Sequence, residues 1–163
     1  MKLLLKTILL SSIAFNAFAQ EPESITTNFI DNDGEVIGVA VLSQMEKGVL
    51  LDINIVLPSG VSAMHIHEKG NCDKPDFKTA GGHFNPHGKE HGINNTHGAH
   101  VGDLPNLVIE NGLKTQQIFL NDLKLEESET GIKGRSIIIH EGKDDYISNP
   151  SGNAGRRIAC AVI

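Results

Sequence analysis

The feature that most constrains this chain is a period of two in its apolar side chains. Val49, Leu51, Ile53, Ile55 and Leu57 alternate with mostly polar neighbours, and Ile37, Val39 and Val41 alternate with Gly38, Ala40 and Leu42. Successive side chains on a strand point to opposite faces, so this pattern predicts strands with one buried face. Runs of the same kind over 25–31, 61–68, 106–110, 115–120, 135–141 and 157–163 raise the expectation to about eight strands. Asn32-Asp33-Gly34 and Glu46-Lys47-Gly48 are tight-turn signals that make the first strands hairpins, and Pro58-Ser59-Gly60 leads into the fourth. No segment carries a helical stripe and tryptophan is absent. The expectation is an all-β fold with an aliphatic core, an antiparallel Greek-key barrel or sandwich of about eight strands.

Two long stretches break the rhythm. Residues 69–103 hold few apolar side chains but five of the eight histidines, and residues 141–156 are rich in Gly, Asn, Ser and Asp. Connections of that length inside a small domain are uncommon and are usually functional or disordered. Bound metal would order the first of them, because ligand bonds replace the missing apolar core.

The chain opens like an exported protein. Lys2 and Lys6, the apolar run Leu3 to Phe18 and the small-x-small site Ala17-Phe18-Ala19 predict a cleaved signal peptide over residues 1–19. The run is interrupted by Lys6, Ser11, Ser12 and Asn16 and falls short of the ~20 apolar residues a membrane span needs. Residues 20–163 are then expected to form one soluble domain with no membrane partner, sent to the periplasm if the source is a bacterium. Of the 14 basic residues, 12 remain after Lys2 and Lys6 are removed, against 20 acidic ones, a formal charge of −8. Such a balance argues against nucleic acid as a partner. Export also places the two cysteines, Cys72 and Cys160, where a disulfide forms and persists.

The sharpest local signal is His65-Ile66-His67. Residues two apart on a strand share a face, so both imidazoles point one way while Met64 and Ile66 face the core. His140 ends a run in which Ile137 and Ile139 face the core, and so emerges on the same outer side. In the long stretch stand His83, His87, His91, His97 and His100, with Asp103 three residues after the last. Imidazoles with one carboxylate suit zinc in a closed tetrahedral site, and an all-imidazole set with an open position suits copper. Eight histidines exceed the needs of one centre. An imidazole has two ring nitrogens, so one ring can bridge two cations, though spacing alone does not say which.

His65-Ile66-His67-Glu68, Gly82-His83-Phe84-Asn85-Pro86, His100-Val101-Gly102-Asp103-Leu104 and Gly152-Asn153-Ala154-Gly155-Arg156-Arg157-Ile158-Ala159-Cys160 follow one another in this order. With them the chain closely resembles the copper,zinc superoxide dismutases, from about Val39 to Ile163. The resemblance implies copper held by His65, His67, His83 and His140, and zinc held by His83, His91, His100 and Asp103, with His83 shared. It makes Cys72 and Cys160 a disulfide between the metal loop and the last strand, and puts Arg157 beside the open copper position. Asp144 matches an aspartate that hydrogen-bonds ligands of both metals, a role that fixes ring tautomers.

The implied activity is the conversion of superoxide to dioxygen and hydrogen peroxide, with Arg157 binding the anion and His83 delivering a proton. Lys143 is a weaker candidate for guiding the substrate. Relatives include homodimers and single chains, and the sequence leaves both open. His87 and His97 have no counterpart in the pattern, and His87 is close enough to His91 to compete as a zinc donor, although the eight-residue spacing from His83 favours His91. An exported metal buffer would use the same ligands but would have no use for Arg157, and a zinc hydrolase would need an open zinc position.

Overall fold

The computed structural model describes residues 23–163, so the expected signal peptide at 1–19 lies outside them. Strands β1 (Ser24–Asp31), β2 (Val36–Met45) and β3 (Gly48–Val56) are followed by the short β4 (Gly60–Ser62) and β5 (Met64–His67). A long loop with a 3-10 turn at Lys78–Ala80 leads to β6 (Leu107–Ile109), β7 (Leu113–Asn121), β8 (Ser136–His140) and β9 (Arg157–Val162). Seven strands form one antiparallel sheet in the order β5-β8-β9-β1-β2-β3-β7, and β4 with β6 forms a two-stranded ribbon. The ribbon joins the two edges of that sheet: β4 runs on into β5, and β6 turns into β7 through the Glu110–Leu113 bridge. The expected antiparallel all-β architecture is therefore present.

Nine strands replace the expected eight because the run 61–68 changes neighbour at Ala63. There the Ala63 N–H donates to Gly142 O at 2.8 Å, and Ala63 O accepts from the His140 N–H at 2.9 Å. Before that residue the segment pairs with β6, and after it with β8.

The alternation in β3 buries Val49, Leu51, Ile53, Ile55 and the following Leu57, as the pattern requires. The neighbouring β2 reverses its expected face. Ala40 and Leu42 are buried, whereas Ile37, Val39 and Val41 are only half-buried. Register with β3 decides this, since Gly38, Ala40 and Leu42 stand opposite Ile55, Ile53 and Leu51, and directly opposed residues share a face. Gly38 and Ala40 leave room for the large side chains across the pair; a Cβ on Gly38 would lie 2.7 Å from Ile55 Cγ1.

Outside this core a second, smaller one anchors the long loop. Phe77 and Ala80 pack on Ile138 and Cys160, with Ile30 and Cys72 beside them. Ile138 lies between the inward Ile137 and Ile139 and faces the outer side of β8, which the loop covers. The Cys72–Cys160 disulfide pins the same place, with a Cα–Cα distance of 5.8 Å and a sequence separation of 88.

Closing a loop of that size stabilises by ~4 to 5 kcal/mol in the chain-entropy account. The paired substitutions Cys72→Ser and Cys160→Ser should lower unfolding free energy by up to that amount in urea titration. Coincident titration curves for parent and variant would show that the cross-link contributes nothing.

Candidate metal centre

β5 carries His65 and His67 on its outer face, and β8 brings His140 to the same side. His83 joins them from the loop, in an antiparallel bridge with His67. All four rings are buried, at 0, 1, 8 and 4% exposure for His65, His67, His83 and His140. One donor nitrogen from each lies within 4.8 Å of the other three.

Each ring is anchored through one nitrogen. His65 Nε2 meets Asp144 Oδ2 at 2.8 Å, His67 Nδ1 meets Gly81 O at 3.0 Å, His140 Nδ1 meets Gly155 O at 3.2 Å and His83 Nδ1 meets Asp103 Oδ1 at 3.0 Å. The other four nitrogens, His65 Nδ1 and the Nε2 atoms of His67, His83 and His140, have no hydrogen-bond partner in the protein. Buried polar atoms left unpaired are costly and rare. Four of them converging from four separately oriented rings fit a cation that prefers imidazole.

A second set of donors gathers around Asp103. Its Oδ1 lies 3.0 Å from His83 Nδ1, 3.0 Å from His91 Nδ1 and 3.3 Å from His100 Nδ1, and the last is 3.3 Å from His83 Nδ1. Donors about 2.0–2.1 Å from a tetrahedral zinc stand roughly 3.3 Å apart, so these spacings match the edges of such a site. His65 also comes within 4.8 Å of His83, His91 and Asp103. Its Nε2 is taken by Asp144, however, and its free Nδ1 faces the first set. His83 places Nδ1 in the Asp103 group and leaves its unpaired Nε2 for the first.

Asp144 ties the two groups together. Its Oδ2 meets His65 and its Oδ1 meets His91 Nε2 at 3.0 Å. It is held by paired bonds with Asn106, whose Nδ2 donates to Asp144 O at 2.9 Å and whose Oδ1 accepts from the Asp144 N–H at 2.9 Å. The Asn106 N–H in turn donates to the Tyr146 hydroxyl at 2.7 Å. Gly152 completes the nest, at φ +64°, where a Cβ would fall onto the Asp144 carboxylate and stand 2.7 Å from His91 Nε2. Adjacent Asp145 is a half-buried turn acid that accepts from the N–H groups of Ile147 and Ser148. Asn106, Tyr146 and Gly152 escape sequence reasoning. Gly152 is visible only as part of the Gly152-to-Cys160 motif, and the other two carry no signal.

Arg157 sits half-buried at the mouth of a cavity of about 420 Å³ that also reaches His67, His83 and His140. Its two terminal nitrogens donate to Phe77 O at 2.6 Å and Gly81 O at 2.7 Å, which aims the guanidinium from the last strand at the loop. His87 and His97 are exposed and stand outside both donor groups. His91, unlike His87, is fully buried and stands in the Asp103 group. Lys143 is exposed on the loop after β8.

His65, His67 and His140 are held neutral. Burial is the main cause that lowers His65 to about 4, with the charge of His83 adding to it and the Asp144 bond opposing it. Burial likewise takes His140 to about 3 and His67 to about 2, helped by neighbouring His83 and by Arg157. The carboxyls go down too. Burial opposes ionisation of Asp103, but bonds from His83 and the Gly92 N–H outweigh it and hold the group well below its usual range. Asp144 is lowered in the same way by its bonds to His65 and His91.

Residues 36–163 match the family described as copper/zinc superoxide dismutase (SODC). Among relatives, the protein named Superoxide dismutase [Cu-Zn] 2 of Aquifex aeolicus is 46% identical over 141 residues, 82% of each chain. Superoxide dismutase [Cu-Zn] 1 of the same organism is 40% identical over 161 residues, 94% of this chain and 95% of the other. Among solved structures, a superoxide-dismutase-like protein from Bacillus subtilis superposes with a TM-score of 0.80 at 39% identity, covering 84% of this chain and 96% of that one. The copper/zinc superoxide dismutase of Brucella abortus gives 0.72 at 30% identity, covering 86% and 99%.

The lowered imidazoles set the acid stability of the metal-free protein. A histidine whose folded value lies below its ordinary 6.5 binds fewer protons folded than unfolded, so stability is complete above that value and falls as pH drops through the window beneath it. The melting temperature of chelated protein should be level above pH 7 and decline steadily from pH 6.5 to 4, by scanning calorimetry. A flat profile across that range would contradict neutral burial of His65, His67 and His140.

Proposed function

The chain belongs to the copper/zinc superoxide dismutase family, and on that footing we propose that it disproportionates superoxide at a copper and zinc pair joined by His83. Copper is held by His65, His67, His83 and His140, and zinc by His83, His91, His100 and Asp103. The observation that carries this reading is the set of four partnerless buried nitrogens, one of which belongs to the ring whose other nitrogen sits in the Asp103 group.

When bound, copper supplies one-electron chemistry that turns two superoxide anions and two protons into dioxygen and hydrogen peroxide, while zinc is redox-inert and orders the loop. The protein's own part is to bind, orient and protonate. Asp144, Gly81 and Gly155 hold the outer nitrogens of His65, His67 and His140, so each inner nitrogen keeps its lone pair toward the common centre. His83 Nε2 is a buried, partnerless nitrogen of a ring that lines the cavity, and it can take up a proton and pass it to the reduced product. Arg157 offers a fixed positive charge to the anion, since a guanidinium stays protonated at every working pH.

The same reading extends to location. Lys2, Lys6, the apolar run and Ala17-Phe18-Ala19 support cleavage of residues 1–19 and work in the periplasm as an antioxidant defence. The Cys72–Cys160 disulfide fits an oxidising compartment. A metal buffer is the weaker reading, because storage gives no reason to aim Arg157 at the mouth of the cavity.

His83→Ala should abolish the zinc-dependent change in the copper(II) paramagnetic resonance spectrum, whereas the parent should show it clearly. A parent spectrum indifferent to zinc would refute the shared ring. Arg157→Ala should keep both metals and lower the bimolecular rate roughly tenfold, with a weaker dependence on ionic strength, in line with local charge steering. Pulse-radiolysis kinetics equal to those of the parent would take Arg157 out of the mechanism.

A further inference from the structure

Arg135 stands outside both donor groups, just before β8 and five residues ahead of His140. Its side chain nonetheless ends between the segments that carry His67 and His83. The guanidinium carbon is 3.5 Å from the centroid of the Phe84 ring. Nε donates to Gly131 O at 2.6 Å and Nη1 to Glu68 O at 3.0 Å. Glu68 directly follows His67, and Phe84 directly follows His83.

Backbone bonds already fix how far along β5 the His83 segment sits. The Gly82 N–H donates to Glu68 Oε2 at 3.2 Å and Gly82 O accepts from the Glu68 N–H at 3.0 Å. Beyond His83, the Phe84 N–H donates to Ile66 O at 2.8 Å and Phe84 O accepts from the Gly102 N–H at 2.9 Å. These bonds set the path of the segment on both edges, and the packing on Phe84 adds a further hold on its tilt. Phe84 reaches into the main core while the His83 ring faces the donor groups. Holding the Phe84 ring therefore steadies the backbone from which the imidazole projects. A planar cation stacked on an aromatic face constrains tilt as well as depth, which an aliphatic neighbour does not. The tolerance is narrow: His83 must keep Nδ1 3.0 Å from Asp103 while Nε2 stays among three other rings, and misplacement by ~1 Å is enough to spoil such a site.

We propose that Arg135 is a positioning residue for His83. Stacked on Phe84 and anchored on the carbonyls of Glu68 and Gly131, it sets the roll of residues 82–84 and so directs both nitrogens of the ring. The inference rests on His83 joining the two metals.

The test compares copper(II) resonance spectra with and without zinc in the mature parent, Arg135→Gln and Arg135→Lys, each loaded with copper alone or with both metals. In the parent, zinc should change the spectrum. In Arg135→Gln, with both metals bound in full, that change should shrink to less than half, and Arg135→Lys, which keeps the charge but loses the flat stack, should fall between. A full zinc-dependent change in either variant overturns the proposal, even if its melting temperature falls, because Arg135 would then matter only for folding. Should Arg135→Gln fail to fold, Arg135→Lys decides alone. A parent spectrum unaffected by zinc removes the shared ring itself, an outcome distinct from a parent that responds and variants that respond equally.

Discussion

Everything in the centre depends on burying neutral imidazoles with one nitrogen tied down and the other left bare. A single buried ring nitrogen without a partner is a penalty the fold can absorb, but four aimed at one point are stable only with something that accepts all four lone pairs. The anchors differ: a carboxylate for His65, backbone carbonyls for His67 and His140, and a carboxylate of the second group for His83. Each anchor fixes a tautomer, and together the tautomers define which atoms remain available. Burial then keeps His65, His67 and His140 from protonating, which would turn donors of electron pairs into donors of protons.

The barrel contributes a rigid outer surface rather than an interior pocket. Its inside is filled by mainly aliphatic side chains with Phe29 and Phe84 among them, so the histidines occupy the opposite faces of β5 and β8 and must be roofed by loops that have little apolar content. Those loops are tied at a few points. Phe77 and Ala80 sink onto Ile138, the disulfide joins Cys72 to the last strand, and Asp144 reaches from one loop to both donor groups. Gly152 allows that reach, since any side chain there would occupy the space of the carboxylate. The order of the loops and the order of the metal donors are one property.

How much of this was legible in the sequence follows from what each residue depends on. The strands and the outward placement of His65, His67 and His140 depend on alternation within one segment, and alternation is written locally. The face of β2 was misread because Ile37, Val39 and Val41 look like the better core, while the choice belongs to the register with β3, where Ile53 and Ile55 need small residues opposite. The run 61–68 looked like a single strand because a change of partner at Ala63 leaves no mark in side-chain pattern. The donor residues in the long loop came from resemblance of motifs, His91 being preferred to His87 for its eight-residue spacing from His83, and the burial of His91 agrees with that choice. Asn106, Tyr146 and Arg135 act through contacts 38 to 67 residues away in sequence along Asn106–Asp144, Asn106–Tyr146 and Glu68–Arg135, and nothing local announces them.

The charge at the cavity mouth shows why an acidic chain can serve an anionic substrate. Of the cations near that end, Lys78 pairs with Asp76 at 2.6 Å and Arg156 with Glu141 at 2.7 Å, exposed pairs whose fields largely cancel. Arg157 bonds only to backbone carbonyls among the described residues, so its orientation is fixed without a carboxylate to neutralise it. Burial lowers its pKa and the nearby Asp76 charge opposes that shift, yet a guanidinium starts so high that it remains a full cation. Over distances beyond a Debye length of about 8 Å the net negative charge is screened in physiological salt, and the anion at the mouth responds to the nearest uncompensated charge. On the proposed reading that charge is Arg157, and the two neighbouring ion pairs make it effective by removing its competitors.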